Sequence, residues 1–177
     1  MSEIKLKYFE YFLIHALTKF GGQKNDFSVL KTQKLLFFAV AAQSNIPSDF
    51  VLGESLFNDF KAYQYGPVEH TIYSTLKSQN NTLTYVKIDN RGTNFFEYRS
   101  LEEIKSEMSQ GLDSKIVRSI DLALNSLMTI NPNIINYSAF NLVELSHRWK
   151  CWSNHYSNDN TAIPFIEIKT DNQYYFI

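Results

Sequence analysis

The sequence has a single cysteine, Cys151, and therefore cannot form an internal disulfide bond. Its longest apolar run, Leu35 to Ala42, is eight residues, whereas a helix needs ~20 apolar residues to span a bilayer. The N-terminal segment MSEIKLKYFE also lacks the basic and then apolar segments of a signal peptide. These absences predict a cytoplasmic protein without a membrane-spanning segment.

Neither sign of charge is in excess, because 17 Lys and Arg residues stand against 18 Asp and Glu residues, for a net charge of −1. A protein with this balance has no overall basic field to attract nucleic acid and no acidic excess to attract a basic partner. The sequence also lacks a glycine-rich phosphate loop, a paired-carboxylate signature and zinc-finger spacing. Nothing in it indicates an enzyme or a bound cofactor.

Apolar and aromatic residues make up 44% and 15% of the 177 residues. This content is sufficient for one sizeable core, and we predict one compact domain spanning 1–177. Apolar periodicity predicts a first helix from about Glu3 to Phe20, ended by Gly21-Gly22. Ser28 can cap a second helix whose body, LLFFAVAA, is apolar all round, as expected of a buried helix. We expect its first turn, which carries Lys31, Gln33 and Lys34, to reach the surface; the simplest interpretation of these three is a solvated helix start.

The stretch FKAYQYGPVEHTIYSTL, from Phe60 to Leu76, combines three signals. Its first residues alternate with a period of two, which predicts a short strand. Gly66 and Pro67 then predict a tight corner, with a helix beginning at Pro67. Such a corner is most often a packing device.

Two β-prone runs, LTYVKI and NFFEY, flank the turn DNRGT and predict a β-hairpin. The resulting element order is that of a winged helix-turn-helix, which raises a DNA-binding hypothesis. Its candidate recognition helix carries only Lys77 as a basic residue, which argues against several phosphate contacts.

The second half of the chain is predicted to be helical, with N-terminal caps at Ser100, Asp113 and Ser138 and an extended C-terminal tail. The predicted fold is therefore a mainly helical α+β domain with a short strand and a hairpin, winged-helix-like in its N-terminal half.

His147, Cys151 and His155 lie at four-residue spacing and would share one face of a continuous helix. His and Cys are zinc ligands, but three such positions span ~12 Å along a helix, too far for one tetrahedral ion. Cys151 with His147 could also form a nucleophile and base, yet no third orienting group is evident. We predict no metal site here.

Three segments together resemble the signature blocks of the Panacea domain, the SocA-like, phage-associated family. They are KTQKLLFFA (31–39), FKAYQYGPVEHTIY (60–73) and LVELSHRWKCW (142–152). The family's usual forms are close to K-L-Q-K-L-L-Y-F, A-W-x-Y-G-P-V and L-T-H-x-x-x-P-W, in the same order. This chain departs from them at Tyr63, Trp149 and Cys151, where the family usually has Trp, an acidic residue and Pro.

The resemblance implies an antitoxin that neutralises a partner toxin, encoded in the adjacent gene, by direct protein–protein contact. Two alternatives are a proteolytic adaptor that delivers a toxin to a ClpXP-type protease and a winged-helix-like DNA-binding regulator of phage origin. Gly66 and Pro67 are expected to shape the corner. The residues expected to form the partner-binding surface, or the network behind it, are Lys31, Gln33, Lys34, Tyr65, His147 and Trp152.

Overall fold

The computed structural model describes residues 2–20, 26–78, 83–96, 99–157 and 160–177. The helices in these ranges are α1 (Ser2–Phe20), α2 (Val29–Gln43), α3 (Leu52–Ser55), α4 (His70–Lys77), α5 (Leu101–Gln110), α6 (Ser114–Ile130), α7 (Ala139–His147), α8 (Lys150–Ser153) and α9 (Phe165–Thr170). The strands are β1 (Phe60–Tyr63), β2 (Gly66–Glu69), β3 (Val86–Ile88) and β4 (Thr93–Phe95). This is the predicted mainly helical α+β fold. Within the described ranges, no helix has the length and apolar character needed to cross a membrane.

Helix α2 is the centre of the molecule. Every residue from Lys31 to Gln43 is buried, because α2 is covered by α6 and α7 and by strand β2. Helix α1 packs against α4, α5 and α6 and completes the core. The apolar sequence of α2 therefore corresponds to a helix surrounded by other elements, as predicted.

The predicted helix starts are confirmed by their capping hydrogen bonds. The Ser28 and Ser138 hydroxyls accept from backbone N–H groups three residues on, and the Asp113 carboxylate accepts from Lys115. Ser100 and Glu103 form a reciprocal capping box at the start of α5. The predicted stop of α1 at Gly21-Gly22 lies outside the described residues.

The hairpin predicted around DNRGT is β3–β4, an antiparallel pair in which Val86 lies opposite Phe95. The Glu10 carboxylate of α1 anchors its start by accepting hydrogen bonds from the backbone N–H groups of Thr84, Tyr85 and Val86. Burial raises the pKa of Glu10 in spite of these donors.

For residues 60–76 the predicted strand is confirmed, but the predicted corner leading into a helix at Pro67 is wrong. Gly66 and Pro67 do not turn the chain into a helix, because they begin strand β2, which pairs antiparallel with β1. Helix α4 starts three residues later, at His70, where the Glu69 carboxylate accepts from the N–H of Ile72. The segment is thus a second hairpin followed by a helix.

The C-terminal region differs from the prediction in its tail. Helix α7 ends at His147, and Arg148 and Trp149 separate it from α8, so His147, Cys151 and His155 do not lie on one continuous helix. Part of the tail expected to be extended forms α9. Residues after α9 pack onto the core through Tyr175, which is buried against Phe38 and Trp149.

Candidate functional site

The hairpin β1–β2 is the element around which the predicted site residues gather. Gln64 and Tyr65 form its turn, and the Tyr65 side chain is 52% exposed at the tip. Gly66 closes the turn with a φ of +89°, a conformation that residues with a β-carbon rarely adopt. Its α-carbon is crowded, because a β-carbon there would lie 2.2 Å from Ser146 Oγ.

Gln33 and Lys34 pair with the free edge of β2. The Glu69 N–H donates to Gln33 Oε1 at 3.0 Å, and Lys34 Nζ donates to the Pro67 carbonyl at 2.5 Å. Side chains of α2 thus satisfy the backbone groups of β2 that face away from β1. Pro67 fits this strand because its missing N–H is not needed for pairing with β1.

The expected surface position of the first turn of α2 is wrong. Lys31, Gln33 and Lys34 are at most 1% exposed, since the hairpin and neighbouring segments cover this end of the helix. The Lys31 ammonium pairs with Asp26 and lies 5.2 Å from the centre of the Phe27 ring. The aliphatic stems of the two lysines are long enough to bury while the nitrogen atoms still reach polar partners.

Lys34 differs from Lys31 in having no carboxylate partner among the described residues. Burial without a counter-charge lowers the pKa of Lys34 well below its usual value. Its amine acts mainly as a hydrogen-bond donor to the hairpin backbone. Lys34 is therefore not placed to form an ion pair with a binding partner.

A buried ion pair fixes the far end of β2. Lys5 Nζ of α1 contacts Glu69 Oε1 at 2.6 Å, and both side chains are almost completely buried. Glu69 therefore joins α1, α2 and α4 through Lys5, Gln33 and the cap on Ile72. The hairpin is therefore held by three helices, and its exposed residues, Gln64 and Tyr65, lie at the tip.

Three aromatic rings stack beside the hairpin. His147 lies on Trp152 with ring centroids 3.9 Å apart, and Trp152 lies on Tyr156 at 4.8 Å, both nearly parallel. Trp152 Nε1 donates to the Tyr63 carbonyl at 2.9 Å, which ties the stack to β1. The backbone of Gln64 in the turn also acts on His147, where it raises the pKa against the larger effect of burial. The stack and the tip therefore form one rigid unit.

The predicted titratable residues each have a different environment. Burial, and then the nearby Lys34, lower the pKa of His147. Cys151 is buried beside Asp171, and burial raises the pKa of its thiol, which keeps it in the unreactive protonated form. His155 pairs instead with Glu167 at 2.9 Å.

His147, Cys151 and His155 thus contact different partners. Among the residues that the structure describes, no three His, Cys, Asp or Glu side chains are grouped to hold a metal ion.

Of the predicted site residues, the structure brings together Gln33, Lys34, Tyr65, His147 and Trp152 around the β1–β2 hairpin, and it places Lys31 apart, with Asp26. Sequence reasoning missed Tyr156, the outer ring of the stack. Its four-residue spacing from Trp152 was a usable signal, although the break after α7 obscured the helical register.

The fold and the site define a mainly helical α+β domain in which a central buried helix braces a hairpin and an aromatic stack. A family model described as antitoxin SocA-like, Panacea domain, matches residues 33–153, and the chain belongs to this family. No curated protein and no solved structure matches the chain. The match contains the two later signature blocks and most of the first.

Proposed function

We propose that this protein is a cytoplasmic antitoxin that neutralises a protein toxin, encoded in the adjacent gene, by direct contact and without enzymatic activity. Membership of the antitoxin SocA-like family supports the general role. The observation that carries the contact mechanism is the aromatic surface at the hairpin tip, which is exposed although the structure around it is tightly fixed.

We name this surface the tip face and define it by Tyr65, His147, Trp152 and Tyr156. Tyr65 and Tyr156 are 52% and 44% exposed, while His147 and Trp152 are partly buried between them and the core. Aromatic side chains that are already ordered lose little entropy on binding, and they are common among the residues that dominate binding energy. A standard interface of about 800 Å² per partner would extend beyond these four residues.

Gln33, Lys34, Gly66 and Pro67 act behind this surface. They fix the β2 edge and the turn that positions Tyr65, and so they influence binding through the conformation of the hairpin. Lys31 stabilises the start of α2 through Asp26 and Phe27. Substituting these residues would test folding as much as binding.

The experiment is co-expression with the product of the adjacent gene, read out by growth and by co-purification. We expect Tyr65→Ala to weaken the complex by roughly 30-fold or more, as truncation of a central aromatic anchor does. Phe96→Ala is the matched control, because Phe96 is 58% exposed but directly follows β4, outside the tip face. Equal binding by both variants, with unchanged melting temperatures, would contradict the tip-face assignment.

The same strains separate direct neutralisation from delivery to a protease. In cells lacking ClpP, direct neutralisation predicts that the wild-type protein still restores growth and forms a stoichiometric complex. Loss of rescue, with the toxin accumulating, would instead support the adaptor alternative. An adjacent gene product without toxicity would contradict the proposal as a whole.

A further inference from the structure

A cleft of about 430 Å³ lies between α6 and the loop that follows α2, away from the tip-face residues. One wall is the α6 stripe of Lys115, Arg118, Ser119 and Leu122, and the other is formed by residues 47–49. The volume lies within the range of about 300–1,000 Å³ typical of small-molecule sites. None of its lining residues belongs to the three signature blocks.

The loop wall is held in place by side-chain hydrogen bonds. Gln43 Nε2 donates to Ser48 Oγ at 3.1 Å and to the Phe50 carbonyl at 2.7 Å, and Gln43 Oε1 accepts from the Leu52 N–H. Ser48 Oγ lies 3.3 Å from Ser119 Oγ, which joins the loop to α6 at the floor of the cleft. The cleft is therefore preformed, so binding would require little reorganisation.

Charge is divided across the cleft. Lys115 and Arg118 stand on the α6 wall, one turn apart, and neither has an ion-pair or side-chain hydrogen-bond partner within the described ranges. Asp49 lies on the opposite wall and is not within ion-pair distance of either. A ligand with an anionic end and hydroxyl groups at the other end would complement both walls.

We propose that this cleft binds an organic phosphate that carries hydroxyl groups and is about the size of a mononucleotide. The planar guanidinium of Arg118 can donate two hydrogen bonds to phosphate oxygens, and the Lys115 ammonium adds a point charge. Ser119 is 4% exposed and offers a hydroxyl at the floor. Asp49 accepts from sugar hydroxyls and repels the phosphate, and Pro47 and Leu122 supply the apolar contact.

The test is calorimetric titration of the purified full chain with AMP, with adenosine as the unphosphorylated control. AMP is expected to bind saturably, and adenosine far more weakly. Arg118→Ala should lose about tenfold or more in AMP affinity, as removal of a charge-assisted hydrogen-bond donor does. Lys169→Ala, which removes one exposed positive charge on α9, should bind AMP as the wild type does.

No saturable AMP binding up to about 10 mM, equal binding of AMP and adenosine, or equal affinities of the two variants would overturn the proposal. A 5′-phosphorylated oligonucleotide distinguishes the source of the phosphate. Tighter binding of it than of AMP assigns the cleft to the end of a nucleic-acid strand, and weaker binding assigns it to a free nucleotide. Since toxin is absent from the titration, the outcome is independent of the antitoxin proposal.

Discussion

Replacing Gly66 with alanine should destabilise the protein at one defined place. The φ of +89° at this residue would be strained for any side chain with a β-carbon, at a cost of ~1–3 kcal/mol. The new β-carbon would also lie 2.2 Å from Ser146 Oγ. That hydroxyl is buried and donates to the Val143 carbonyl at 2.8 Å, so moving it costs ~1 kcal/mol more.

The sum is ~2–4 kcal/mol of unfolding free energy, which corresponds to a melting temperature lower by roughly 5–15 °C for a chain of this length. Thermal unfolding followed by circular dichroism measures this directly. Gly111→Ala is the matched control, because Gly111 has a φ of −97° and the Met108 carbonyl oxygen would lie 3.8 Å from the new β-carbon, an ordinary van der Waals contact. We expect that variant to melt close to the wild type.

The two contributions can be separated with Ser146→Ala, which removes the hydroxyl that the β-carbon would meet. In the Gly66→Ala/Ser146→Ala double variant the clash with the hydroxyl should disappear, while the φ contribution and the 3.1 Å contact of the β-carbon with Lys34 Nζ should remain. The double variant should therefore be ~1 kcal/mol more stable than additivity predicts. A Gly66→Ala protein that melts like Gly111→Ala, or strict additivity, would refute the reasoning.

Two further predictions concern one group behind the tip face and one group within it. Lys34→Glu should lower the unfolding free energy by ~3 kcal/mol or more, because it places a buried carboxylate beside the Pro67 carbonyl oxygen. Lys169→Glu is the control, because Lys169 is exposed on α9. Similar melting temperatures for the two variants would contradict this prediction. His147 has a folded pKa below its usual 6.5, so the unfolded chain binds its proton first as the pH falls, and stability should decrease below about pH 6.5. Denaturant titrations at several pH values should show a smaller decrease in unfolding free energy for His147→Gln than for the wild type. An equal decrease in both would refute the assignment of this pH dependence to His147.

Much of the helical framework could be predicted from the sequence because its signals are local. Ser28, Ser100, Asp113 and Ser138 cap helices through atoms within three residues of themselves. The period of apolar residues in α6 and the turn between β3 and β4 are likewise short-range features. Such signals depend little on the rest of the fold.

The candidate site was harder to predict from the sequence, because its geometry depends on contacts between residues that are far apart in the chain. Pro67 fits β2 because its missing N–H is not needed for pairing with β1, while Lys34 of α2 donates to its carbonyl and is buried because the hairpin covers it. The residues involved are 33 positions apart. The segment between α7 and α8 likewise has no proline or glycine, and Trp149 within it is buried with its Nε1 donating to the Tyr174 carbonyl, 25 residues away.

The closed edges of the β1–β2 hairpin restrict how any protein can attach to it. One edge is taken by Gln33 and Lys34, and the other by residues 161–163, which exchange backbone hydrogen bonds with Phe60 and Ala62. An incoming chain therefore cannot extend this sheet by adding a strand, a mode of recognition that reads mainly the backbone. Recognition must rely on side chains at the turn and the aromatic stack. Exposed side chains can be exchanged with little effect on folding, so one framework could acquire new partners through substitutions at its rim.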